Sequence, residues 1–254
     1  MCVMRLALLC LLGLSLPLNA ADIRAAVASN FLGPLQALAA AFEAQTGHRV
    51  TISSGSTGKL YAQIVNGAPY DLFLAANSRE PQRLEQEGRT RPGTRYTYAL
   101  GVLALWVPDA GRGSPGEARA AFAPAPGQRV AIANPQTAPY GAAALAVLEA
   151  WGRLGSLQGR LIRGENIAQA YQFVASGNAA FGFVALSQLL DPKRPPTGRY
   201  WRIDPALHAP IRQQLVILKR AADRPAVANL WRYLKSTPAR ERIQAFGYGL
   251  EAPA

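Results

Sequence analysis

The chain has 254 residues, half of them hydrophobic and 17% charged, with a formal net charge of +12. That balance excludes a disordered chain and a fibre, and leaves an ordinary globular protein with room for a large core. At this size a chain tends to divide into two domains, so two lobes are the starting expectation.

The first twenty residues stand apart. Arg5 is followed by an apolar stretch over residues 6–18, broken by Pro17, and then by the small residues Asn19-Ala20-Ala21. A positive end, a short apolar run and small residues predict a secretory signal peptide over residues 1–20, because the run is too short to span a bilayer comfortably. Export to the periplasm is therefore expected. Both cysteines, Cys2 and Cys10, fall inside this segment, which leaves the mature chain without a disulfide, a thiolate metal site or a cysteine nucleophile. The basic residues are mostly scattered arginines, with lysine only at Lys59, Lys193, Lys219 and Lys235. No dense basic run with interleaved aromatics occurs, so nucleic acid is not the expected partner.

Strands and helices then alternate. Residues 23–28 form a β-rich run, and Phe31, Leu35, Leu38 and Phe42 recur at helical spacing as far as Gly47. Val50 and Ile52 mark a second strand, Leu60, Tyr61, Ile64 and Val65 a second helix, and residues 71–75 a short buried strand before a polar helix over 79–87. The longest β-like stretch is 96–107, and a Pro/Gly/Ala-rich segment, 108–127, separates it from a second series. That series predicts strands at 130–133, near Leu161 and at 181–186, helices at 141–154 and around 167–174, a loop at 192–198, and a long strand at 211–219. Two helices close the chain, the second with Thr237 as its N-cap and Pro238 at its first position.

Such a βα rhythm predicts mostly parallel sheets covered on both faces by helices. The long strands 96–107 and 211–219 are expected to be antiparallel crossovers joining two α/β lobes, with residues 22–99 and 218–254 in the first lobe and 100–217 in the second. A cleft between such lobes, at the carboxyl ends of the strands, is the expected binding site.

Four segments each place small polar residues at a strand end just before a helix: Ala28-Ser29-Asn30-Phe31, Gly55-Ser56-Thr57-Gly58-Lys59, Ala138-Pro139-Tyr140-Gly141 and Gly164-Glu165-Asn166-Ile167. Two fall in each lobe. A helix start leaves N–H groups unpaired at the positive end of the helix dipole, so each segment can hold an anion. Together with the hydroxyls of Ser29, Thr57 and Ser56 they would form an uncharged cage of about seven donors. Lys59, one turn into its helix, reads as a solvated charge. Catalysis is not indicated: His48 and His208 are isolated, and the carboxylates, Asp71 and Glu165 among them, are dispersed.

The runs Val27-Ala28-Ser29-Asn30-Phe31-Leu32-Gly33, Ser53-Ser54-Gly55-Ser56-Thr57-Gly58-Lys59-Leu60, Asn66-Gly67-Ala68-Pro69-Tyr70-Asp71 and Asn134-Pro135-Gln136-Thr137-Ala138-Pro139-Tyr140-Gly141 resemble the periplasmic molybdate-binding proteins of ABC importers. The resemblance implies the type II periplasmic binding protein fold, molybdate or tungstate as ligand, a membrane ABC permease as partner, and no enzymatic cofactor. It also implies ligation by Ser29, Asn30, Thr57, Tyr140 and Ile167, the last through its N–H, with Ser56 as a further hydroxyl. No residue would bind the metal atom directly. Some members carry a tyrosine donor where this chain has Ala185, and Asn30 is expected to supply the missing bond. Sulfate, or another tetrahedral oxyanion, is the alternative ligand for the same fold. A monomer that closes around its ligand by hinging near Gly101 and Leu218 completes the expectation.

Overall fold

The computed structural model describes residues 20–108 and 118–251. The segment read as a signal peptide, with Cys2 and Cys10, lies almost wholly outside these residues, as does part of the 108–127 segment.

Two five-stranded sheets are built on one plan. In the first, β1 (Asp22–Ala28) lies between β2 (Arg49–Gly55) and β3 (Leu72–Leu74), all parallel, and β10 (Ile211–Ile217) and β4 (Tyr96–Gly101) extend it antiparallel, in the order β2-β1-β3-β10-β4. In the second, β6 (Val130–Ala133) lies between β7 (Leu161–Gly164) and β8 (Phe181–Ala185), with β5 (Leu103–Val107) and β9 (Arg199–Arg202) antiparallel beyond, in the order β7-β6-β8-β5-β9.

The helices cover both faces. On β1, Ile23, Ala25 and Val27 point to one face and pack with Phe31, Leu35, Leu38 and Phe42 at the start and along the length of α1 (Leu32–Thr46). Ala26 points to the other, with Phe73, Val216 and the buried Leu60 and Ile64 of α2 (Thr57–Val65). From Ala25 onward the strand is buried on both faces and is apolar throughout, whereas Asp22 and Arg24 at its start are exposed. The second sheet buries its own core around Trp106, Phe122, Val147 and Phe183, between α5 (Pro139–Ala150) and α6 (Ile167–Ala175) among others. The closing helices α8 (Pro225–Leu234) and α9 (Thr237–Ala245) return to the first sheet, where Leu230 and Ile243 join its core. Asp71, fully buried, ties this return down: it accepts from Arg24 N–H and pairs with Arg220 at 2.7 Å and Arg224 at 2.6 Å.

Several expectations are refined. The stretch 96–107 is two strands in different sheets, separated at Val102, so the first crossover is a break and not one continuous strand. The strand at 211–217 pairs with β3 and β4 alone, so by sheet membership the chain is back in the first lobe before Ile211, ahead of the expected boundary at 217/218. Leu218 bonds within that lobe, its N–H to Asp71 O and its bridge to Thr90, and the return connection lies between β9 and β10. Edge strand β9 was not expected, because Arg-Tyr-Trp-Arg has no apolar alternation: its half-buried face carries Arg199 and Trp201, and its exposed face Tyr200 and Arg202. Ser236, not Thr237, stands at the N-cap of α9.

Candidate anion-binding site

The four helix starts meet between the sheets. Ser29 and Asn30 occupy a short 3-10 turn that continues β1, Ser56 and Thr57 open α2, Tyr140 lies in the first turn of α5, and Ile167 begins α6. All six line one small cavity, and no charged side chain does. The close approach of α5 to the end of β6 depends on Gly141, where a Cβ would overlap the Ala133 carbonyl.

What each residue offers follows from which of its polar atoms are already committed. Ser56 is the N-cap of α2 yet makes no capping bond, and its buried Oγ has no partner among the described residues. An orphaned buried hydroxyl is costly and calls for an explanation. Thr57 Oγ1 accepts the Ala76 N–H at 3.0 Å, so its own hydrogen is left to donate. At α6 the Asn166 side chain caps the N–H groups of Ala168 (2.9 Å) and Gln169 (3.2 Å), and leaves that of Ile167. At α5, Pro139 has no N–H, so Tyr140 carries the first donor of the helix. The Tyr140 hydroxyl accepts from Gln213 Nε2 at 3.2 Å, behind the helix start. This part of the cage is therefore made of main-chain N–H groups and small hydroxyls, directed at a volume that holds no counter-charge.

Asn30 departs from its expected role. Its Nδ2 donates to Gln213 Oε1 at 2.8 Å and to Tyr248 Oη at 2.9 Å, so both amide hydrogens are spent on protein. Ala185 is buried, and its N–H donates to the Gln188 side chain.

The chain matches the model of the bacterial extracellular solute-binding proteins over residues 23–249. It is 46% identical over 233 residues to the molybdate-binding protein ModA of Azotobacter vinelandii, covering 92% of each chain. It is 40% identical over 245 residues to the molybdate-binding protein ModA of Rhodobacter capsulatus, covering 96% of this chain and 95% of that one. The solved structure of the periplasmic molybdate-binding protein of Azotobacter vinelandii superposes with a TM-score of 0.84 at 40% identity, covering 91% of this chain and all of the other. This chain belongs to the ModA family of bacterial extracellular solute-binding proteins.

Beyond the family motifs, this ModA-family chain carries a buried polar layer that sequence reading missed. Gln213 is fully buried on β10 at a register shift beside Gln214, and accepts from Tyr98 Oη at 2.9 Å as well as from Asn30. Tyr248, beyond α9, bonds the Asn30 carbonyl (2.8 Å) and Ser187 Oγ (2.9 Å), and Ser187 Oγ also donates to the Asn30 carbonyl at 2.9 Å. Ser187 belongs to the second lobe and Asn30 to the first, so the layer joins them. The one sequence signal was a glutamine pair in the middle of an apolar strand. Burial raises the hydroxyl pKa of Tyr98 and Tyr140 well above the ordinary tyrosine value and that of Tyr248 likewise, so all three remain neutral hydrogen-bonding groups.

Lys59 is not simply solvated. It pairs with Glu165 across the mouth of the cleft, both side chains more than half exposed, and neither lines the cavity. His48 accepts from Ala21 N–H, and His208 sits on an exposed loop; neither approaches the site. Among the described residues no group of three His, Cys, Asp or Glu could hold a metal ion, and no helix is long and apolar enough to cross a membrane.

Proposed function

We propose that this protein captures molybdate, and equally tungstate, between its lobes in the periplasm and passes it to the membrane permease of an ABC importer. The observation that carries this reading is the uncharged interlobe cavity on which four helix starts converge, with Ser56 Oγ buried and unpartnered beside it. A dianion there would gain donors from both lobes without meeting a carboxylate. The ligand set is proposed as the hydroxyls of Ser29 and Thr57, the N–H groups of Tyr140 and Ile167, the Asn30 side chain, and Ser56 as an additional hydroxyl. Ligation would be through oxyanion oxygens only, and the reading requires no cofactor and no catalytic step. The 46% and 40% identical relatives are molybdate-binding proteins, which supports the choice of anion, and the solved relative is a periplasmic protein, which supports export. The protein acts as a monomer that closes on its ligand, since donors divided between two lobes satisfy one anion only when the lobes approach.

A cage of donors rejects an anion that must itself donate a proton, which disfavours hydrogen phosphate. Among full dianions charge cannot discriminate, so size must: molybdate and tungstate are nearly equal, and sulfate is smaller. Bonds too long to count would cost sulfate at least about 4 kcal/mol, roughly a thousandfold in affinity. Calorimetry on ligand-free protein is expected to give tight, near-equal binding of molybdate and tungstate, sulfate weaker by about that factor, and no measurable phosphate binding. Sulfate binding as tight as molybdate would transfer the assignment to a general tetrahedral-oxyanion carrier.

A further inference from the structure

Behind the cavity, Asn30 and Gln213 face each other amide to amide. Asn30 Nδ2 donates to Gln213 Oε1, and Gln213 Nε2 donates to Tyr140 Oη. Among the described residues, every other side chain hydrogen-bonded to the pair offers a hydroxyl: Tyr98 and Tyr140 on Gln213, and Tyr248 on Asn30. The fixed acceptors at the margin are main-chain oxygens, Ala75 O within 3.1 Å of Tyr98 Oη and Asn30 O within reach of Ser187 and Tyr248. Hydroxyls can reverse their role by rotating one hydrogen, whereas carboxamides reverse theirs by turning over.

The layer therefore has two polarities, and the reversed one has a use for its freed hydrogens only when an acceptor stands in the cleft. In the one observed, both Asn30 amide hydrogens point into the layer, and no donor among the described residues is bonded to Asn30 Oδ1. In the reverse, Gln213 Nε2 donates to Asn30 Oδ1 and towards Tyr98 Oη, Tyr98 donates to Ala75 O, Tyr140 donates to Gln213 Oε1, and Tyr248 donates to Asn30 Oδ1. Ser187 continues to serve the Asn30 carbonyl, while Tyr248 gives up its own bonds to that carbonyl and to Ser187, a loss that bonds from Asn30 to the anion offset. Neither amide can turn alone, because that would set two carbonyl oxygens, or two NH2 groups, against each other at 2.8 Å in a dry interior. The terminal amide torsions are broad and two-fold, so turning both displaces hardly any heavy atom.

We propose that Asn30 and Gln213 turn over as a coupled pair, and that a dianion in the cleft selects the reversed polarity, in which both Asn30 amide hydrogens are freed towards it. Gln213 is then a positioning residue that sets whether the site presents an acceptor or two donors at Asn30. The inference rests on the anion-binding reading above, and it explains how an asparagine whose hydrogens are spent on protein can still serve as a ligand. It also links ligation to lobe closure, since in both polarities the layer crosses to the second lobe through the bond between Gln213 and Tyr140 and through Ser187 on the Asn30 carbonyl.

The test follows the side-chain amide hydrogens by NMR in the labelled mature protein, before and after saturation with sodium molybdate. Without ligand, nuclear Overhauser contacts from Gln213 Nε2 hydrogens should reach the Tyr140 ring, and those from Asn30 Nδ2 the Tyr248 ring. With molybdate bound, the Gln213 contacts should move to the Tyr98 ring and the Asn30 contact to Tyr248 should vanish. Unchanged contacts in the loaded protein, or movement of Asn30 without Gln213, would overturn the proposal. If calorimetry on the same sample shows no molybdate binding, the choice of ligand fails instead, and tungstate and sulfate then serve as the tetrahedral dianion in the same measurement. As a second arm, Gln213→Leu keeps similar bulk and removes the polarity, and should weaken molybdate at least about tenfold. Unchanged affinity in that variant also overturns the proposal; should the variant misfold, the amide contacts of the unaltered protein decide.

Discussion

Gly58, in the first turn of α2, donates its N–H to the carbonyl of Thr137 across the cleft at 3.0 Å. A Cβ on Gly58 would lie 3.2 Å from Thr137 Cα and 3.3 Å from its oxygen. The lobes meet here backbone to backbone, and a methyl group would hold them apart by a few tenths of an ångström. Gly58→Ala should therefore separate two quantities. Helix propensity favours alanine by up to about 1 kcal/mol, so the ligand-free protein should melt at the same temperature or higher. Molybdate affinity should fall about tenfold, because bonds to one lobe lengthen when closure is incomplete. Parallel calorimetry and thermal melts would reveal this opposition, and unchanged affinity would show that closure tolerates the added bulk.

The hydroxyls of the cage should also divide into two kinds. Thr57→Ala and Ser29→Ala each remove a hydroxyl assigned to the anion, and each should weaken molybdate by about 1.5–3 kcal/mol. Thr57→Ala should in addition lower stability, since Ala76 N–H loses its acceptor. Ser56→Ala deletes a buried hydroxyl that has no partner, so the ligand-free protein should be stabilised by about 1 kcal/mol while molybdate affinity falls. A destabilised Ser56→Ala protein with full affinity would remove Ser56 from the ligand set.

Lys59 and Glu165 span the mouth of the cleft, each with more than half its side chain in solvent. Exposed pairs of this kind contribute about 0–1 kcal/mol and are screened by salt. Lys59→Ala should reduce molybdate affinity by less than about fivefold, and the difference from the unaltered protein should shrink as sodium chloride is raised. A loss at Lys59 larger than at Thr57 would mean that the ligand is held by charge and not by a neutral cage.

The buried tyrosines predict a one-sided pH dependence. Tyr98 and Tyr140 are displaced upward from the ordinary value of 10.0 by burial in the folded protein. The unfolded chain releases these protons first, so the stability they confer is complete below about pH 10 and declines as pH rises beyond it. Between pH 6 and 9 they should impose no slope on either melting temperature or molybdate affinity. Above pH 10 the melting temperature should fall, and fall less steeply in Tyr98→Phe than in the unaltered protein. Equal slopes would exclude Tyr98 as a contributor.

Much of the architecture was legible because it is written in local patterns. Apolar runs such as that of β1 report burial on both faces, the spacing of Phe31, Leu35, Leu38 and Phe42 reports α1, and small polar residues before each helix report where N–H groups are left unpaired. From these alone, two α/β lobes and an uncharged anion cage between them follow, and the family motifs name a candidate ligand. Strand assignment to sheets was less legible. Nothing local shows that Val102 ends one sheet and that β10 belongs wholly to the first, because pairing depends on partners more than a hundred residues away.

The same distance governs the chemistry of individual donors. The sequence determined which residue types stand at the four helix starts; the tertiary structure decided which of their hydrogens are free. Asn30 reads as a donor until Gln213, 183 positions later, and Tyr248, 218 positions later, are seen to take both its amide hydrogens. Tyr140 reads as a ligand without saying through which atom, until its hydroxyl is found on Gln213, leaving its N–H for the cavity. Lys59 reads as solvated until Glu165 is brought to it from the other lobe. A hydrogen bond is saturable and short-ranged, so what a polar group can offer a ligand is set by whichever neighbours the fold delivers to it, and those neighbours are not local in the chain.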